Sequence, residues 1–109
     1  MWTYDNALSI ARAYVDAVTE GRAVVTESTV IDLPYGWVFF YQNREFLETR
    51  DPLTQLVGNA PIIFNRVSGE YRVTGTAHPV DHYLREYEST LLPVLLAMKP
   101  QVRRREGAG

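Results

Sequence analysis

Few residues in this chain could do chemistry. The two histidines, His78 and His82, stand four apart with Asp81 beside them, a spacing at which two imidazoles on a helix can share a metal ion. Three details oppose a metal. Pro79 puts His78 at or before the helix cap, and no glutamate follows that first histidine. On a wheel anchored by Val80, Leu84 and Tyr87, His82 falls on the polar side with Arg85 and Glu86. A solvent-facing pair without a metal is expected. Glu45, Glu48 and Asp51 could supply a general acid and base, which requires one carboxyl to be desolvated and another ionised. Arg44 and Arg50 interleave with these acids, as on a solvated surface. Ser68 precedes Gly69 without the glycine pattern of a nucleophile elbow and suits a hairpin turn. The glycines are dispersed, so no phosphate-cradling loop is present, and the chain has no cysteine, which excludes disulfides and thiolate chemistry. Neither catalytic residues nor a cofactor is expected.

The run Trp37-Val38-Phe39-Phe40-Tyr41 invites comparison with the stacking platform of an RNA-binding sheet. Tyr35 stands before Gly36 where Lys or Arg would hold phosphate, and Val38 stands where a small residue belongs. The net charge is -2, and the isoelectric point is about 5.6. An acidic balance opposes a phosphate backbone as partner. Nucleic acid is not expected.

The elements follow from periodicity. Tyr4, Ala7, Leu8, Ala11, Tyr14, Val15 and Val18 form one apolar stripe at helical spacing. Thr3 or Asp5 can cap its start, and Gly21 stops it. Residues 24–33 read as one strand with an irregularity near Glu27 and Ser28. After a Pro34-Tyr35-Gly36 turn, residues 37–42 make a second strand. Its side chains alternate, with Trp37, Phe39 and Tyr41 on one face and Val38, Phe40 and Gln42 on the other. Apolar residues on both faces predict an interior strand covered on both sides.

Residues 43–60 read as polar and irregular, with a helical turn near Leu53 to Val57. Residues 62–67 and 71–75 are two further strands around a Ser68-Gly69 turn, the last with one core face and one wet face. Pro79 opens a helix striped by Val80, Tyr83, Leu84 and Tyr87. The apolar segment Leu91 to Met98 continues as a turn or two of helix after Pro93. The fold class is therefore α+β, with an N-terminal helix, a mostly antiparallel sheet of about four strands and a C-terminal helix. Residues 1–99 form a single domain, and 100–109 are a disordered basic tail. With 109 residues, 46% of them hydrophobic and 22% charged, one independent core is expected. No apolar run nears the roughly 20 residues needed to span a bilayer. The amphipathic N-terminus lacks a signal peptide's basic region, so the expected address is cytoplasmic.

Four stretches resemble the bacterial immunity protein 35 family, also called the YrhB-like domain. They are ALSIARAYVD, YGWVFFYQNREFLETRD, GNAPIIFNRVSGE and VTGTAHPVDHYLREYE. The match runs from about residue 5 to residue 88. It carries Gly36 and Trp37, then Gly58, Asn59 and Pro61, then Gly75, all in family order and with expected structural roles. The resemblance implies an α+β domain encoded beside toxins of bacterial polymorphic toxin systems, neutralising a cognate toxin without catalytic residues.

The expected function is thus a non-enzymatic binding protein that covers a toxin's active surface in a stoichiometric complex. Arg44, Phe46 and Arg50 are the expected partner contacts. The alternative is an accessory domain binding a small ligand or peptide in a biosynthetic or stress pathway.

Overall fold

A computed structural model describes residues 1–55, 60–101 and 103. Helix α1 spans Tyr4–Thr19. The Thr3 hydroxyl caps it by accepting from the Asn6 N–H, and the chain leaves it through Glu20 in the left-handed region at φ 53°. Tyr4, Ala7, Leu8, Ala11 and Val15 are buried along its stripe. Val18 is exposed, contrary to the stripe drawn from spacing, because it lies in the last turn.

Six strands follow: β1 (Ala23–Val25), β2 (Ile31–Leu33), β3 (Gly36–Phe39), β4 (Tyr41–Asn43), β5 (Ile62–Asn65) and β6 (Tyr71–Val73). They form an antiparallel pair, β1-β4, and an antiparallel four-stranded sheet ordered β2-β3-β5-β6. The two long strands expected from sequence are each broken in two. A 3-10 turn at Glu27–Thr29 divides β1 from β2, at the expected irregularity, and Phe40 divides β3 from β4. The break is bridged, since the Thr26 N–H and hydroxyl both donate to the Phe40 carbonyl, at 2.9 Å and 3.2 Å. The result is one bent hairpin in which Val25 pairs with Tyr41 and Ile31 with Val38.

Strand β3 lies between β2 and β5 with all four residues buried. Its alternation divides the core. Trp37 and Phe39, with Tyr41, Ile62 and Phe64, pack under α1. Val38 packs on the opposite face with Leu33, Tyr35, Ile63 and Tyr87. That second face is covered by α3 (Val80–Glu88) and by Leu91 and Leu95 around the short α4 (Pro93–Leu96). Gly36 is required here: a Cβ would collide with the Phe64 carbonyl oxygen across the β3-β5 pair.

Two expectations are corrected. The segment after residue 43 contains a helix, α2 (Arg44–Thr49), and a 3-10 turn at Pro52–Thr54, where irregular chain was read. Strand β6 lacks a core face, and all three of its residues are exposed, because it is a sheet edge that α1 covers only in part. The expected helical turn to Val57, together with Gly58 and Asn59, falls partly or wholly on residues 56–59, outside the described residues. In the C-terminal segment, the Gln101 side chain accepts from the Tyr4 N–H at 3.2 Å, and Arg103 pairs with Asp32 at 2.8 Å. No helix among the described residues is long and apolar enough to cross a membrane.

Candidate partner-binding surface

Helix α2 is anchored at its start. Strand β4 ends in Asn43, whose side-chain oxygen accepts from the Glu45 N–H at 3.0 Å. The Arg44 N–H donates to the Arg22 carbonyl at 2.8 Å, tying the helix to the entrance of β1. At its other end, Arg50 is left-handed at φ 59° and donates its N–H to the Phe46 carbonyl at 2.7 Å. This turn folds the Arg50 guanidinium over the Phe46 ring, 5.7 Å from the centroid. Such an exposed cation–π contact contributes about 0.5–1 kcal/mol. Asp51 then caps the 3-10 turn, accepting from the Leu53 N–H at 3.0 Å.

The structure therefore brings Phe46 and Arg50 into contact and places Arg44 at the opposite end of the same helix. Both arginines are exposed and Phe46 is half-buried. Sequence reasoning missed Leu53, which is 93% exposed on the adjoining turn. Its position after Pro52 was the available signal. Arginine and aromatic residues, including phenylalanine, are enriched at protein interfaces.

Arg44 also lines a groove of about 440 Å³ with Arg12, Ala13 and Asp16 of α1 and Ala23, Val24 and Val25 of β1. Arg12 is held to Glu27 at 3.0 Å. The helix pattern shows Arg12 and Asp16 on the polar side of α1, but only the fold sets them beside Arg44.

The remaining candidates stay apart from this surface. His78 and His82 stack with ring centroids 4.0 Å apart, and His82 Nε2 lies 2.7 Å from a Glu86 carboxylate oxygen. Among the described residues no three His, Asp or Glu side chains are grouped to hold a metal. Glu45, Glu48 and Asp51 are all exposed, so burial desolvates none of them. Ser68 works in the turn, its hydroxyl accepting from the Glu70 N–H at 3.1 Å. Among the perturbed groups are two tyrosines of the second core face. Tyr35 is pushed well above its usual range by burial and by the hydrogen bond it donates to Glu88 at 2.9 Å. Burial also raises Tyr87, which accepts from the Asn65 amide at 3.1 Å and donates to Glu70 at 2.9 Å. These bonds join α3 to the sheet.

Of the positions marked by the resemblance, Gly36 and Trp37 are buried, and Pro61 and Gly75 are partly exposed. Trp37 is fully buried. The Pro61 carbonyl accepts from the Thr74 N–H and hydroxyl at 2.9 and 2.8 Å. Gly75 leaves room for the Tyr83 hydroxyl, which lies where a Cβ would stand and accepts from the N–H groups of Ala77 and His78.

Comparison with known proteins gives the family. The family described as Immunity protein 35 matches residues 5–90. The chain is 39% identical over 88 residues to Uncharacterized protein YrhB of Escherichia coli (strain K12), covering 81% of this chain and 90% of that protein. No solved structure matches. The matched span includes most of α1, the bent hairpin, β5, β6 and α3, and with them most of both core faces. This chain belongs to the immunity protein 35 family.

Proposed function

We propose that this protein is a cytoplasmic, non-enzymatic immunity protein that neutralises a cognate bacterial toxin by forming a stoichiometric complex. The family match over residues 5–90 carries the reading. It is supported by the exposure of the acidic residues that could have served as an acid–base pair, and by the α2 surface. That surface offers Arg44, Phe46 and Arg50, with Leu53 beside them, as contacts for the toxin. Blocking by coverage requires complementarity and a slow off-rate rather than turnover. The test is co-expression with the toxin encoded beside it, followed by purification. Protection together with a one-to-one complex supports the reading. Protection with the toxin or its product chemically altered, and no complex, would replace it with an enzymatic one.

The groove beside Arg44 favours the alternative, an accessory domain for a small ligand or peptide. Under that reading Arg12→Ala would abolish ligand binding, whereas Leu53→Ala would not.

A further inference from the structure

Among the described residues, β6 is the one strand whose residues are all exposed, and it ends the four-stranded sheet. Its register to β5 sets which backbone groups point outward. The Asn65 N–H donates to the Glu70 carbonyl at 2.8 Å, and the Thr74 N–H donates to the Pro61 carbonyl at 2.9 Å. With Ile63 opposite Arg72, residues 70, 72 and 74 turn their hydrogen-bonding groups toward β5. Antiparallel pairing alternates, so Tyr71 and Val73 turn theirs outward, where the described residues provide no partner. Their side chains are 48% and 38% exposed, on an edge that carries no proline or bulge. An unpaired edge of this kind is a template for another strand.

We propose that the occupant is a second copy of this chain, paired antiparallel through β6 about a two-fold axis with Tyr71 opposite Tyr71. The charges choose this partner and this register. Glu70 and Arg72 share one face of the strand and pair with each other at 3.1 Å. With Tyr71 at the axis, Glu70 of each copy stands opposite Arg72 of the other, giving two opposite-charge pairs across the junction. Sliding by two residues, the next register in which the outward groups of Tyr71 and Val73 meet, would set Arg72 against Arg72, and like charges directly opposite are destabilising. The two Tyr71 residues exchange a pair of N–H to carbonyl bonds, and the two four-stranded sheets become one of eight. The edge is short, and the buried area falls below the roughly 1,000 Å² of a stable interface, so the dimer is weak and depends on concentration.

The test uses the chain alone and is independent of the immunity reading. Sedimentation velocity over a wide concentration range should show a monomer–dimer equilibrium. Arg72→Glu and Glu70→Arg should each raise the dissociation constant about tenfold or more. An equimolar mixture of the two should restore dimerisation, because each variant's reversed charge then meets its opposite. The chain has no cysteine, so Tyr71→Cys provides a second readout that does not depend on the charge variants. Cα atoms of a hydrogen-bonded antiparallel pair stand about 5.5 Å apart, within disulfide reach. Mild oxidation should link Tyr71→Cys chains and leave a surface control, Glu48→Cys, monomeric. A monomer at every concentration, equal linking of the control, or no rescue in the mixture would overturn the proposal. A monomer whose β6 variants lose toxin binding would assign the edge to the toxin's strand instead.

Discussion

Trp37 lies edge-on to Tyr4 at 5.6 Å between ring centroids and tilted to Phe64 at 6.4 Å, with no surface left to solvent. Truncating it to Ala should cost about 3–5 kcal/mol, the range for emptying a large core site, as measured by denaturant unfolding. Its indole N–H has no partner among the described residues. Trp37→Phe, which keeps a ring and removes that unpaired donor, should cost clearly less. The burial was legible because a strand's period of two places 37, 39 and 41 together, and large apolar residues on both faces leave only an interior position. Val18 misled because spacing alone cannot show where a helix outruns the sheet beneath it. Tyr35 contributes to the pH dependence of stability. Its folded pKa is raised above the ordinary 10.0, so above pH 10 the folded state holds a proton that the unfolded chain has released. That stabilisation is complete below pH 10 and is lost as pH rises above it. Alkaline titration of the unfolding free energy should show this decline, and Tyr35→Phe should make it shallower.

The elements show where sequence patterns stop. The order of helix, sheet and helix follows from periodicity, and so does the break near Glu27, where β-branched residues give way to polar ones. The break at Phe40 does not, because Phe40 is apolar on an apolar strand. It arises because five residues, 26–30, face only Phe39 and Phe40 across the hairpin, which forces a bend. Helix α2 escaped notice because its six residues give less than two turns of period. Asn43 at its start was the local signal. Replacing the cap with Ala should destabilise the protein by about 1 kcal/mol, seen as a lowered melting temperature. Because Asn43 also orients Arg44 and Phe46, the same variant should weaken toxin binding more than that loss of stability explains.

At the scale of the whole molecule, two cores share one sheet, and the candidate surface stands outside both. Substitutions there should therefore change partner binding without unfolding the protein. Only part of the surface was legible in the sequence. Arg44, Phe46 and Arg50 are close in sequence, whereas Leu53 joins them through a capped turn, and Arg12 and Asp16 reach Arg44 only through the fold. Charge reversal at Arg44 and Arg50 changes exposed side chains, and such changes usually shift stability by less than about 0.5 kcal/mol. The most direct measurement is therefore titration calorimetry of the purified toxin with the wild-type chain and with the Arg44→Glu, Arg50→Glu double variant. The account predicts one-to-one binding by the wild type, and weakened binding by a variant whose melting temperature is nearly unchanged. Full protection by a small, substoichiometric amount of the chain, with no complex detected, would contradict it.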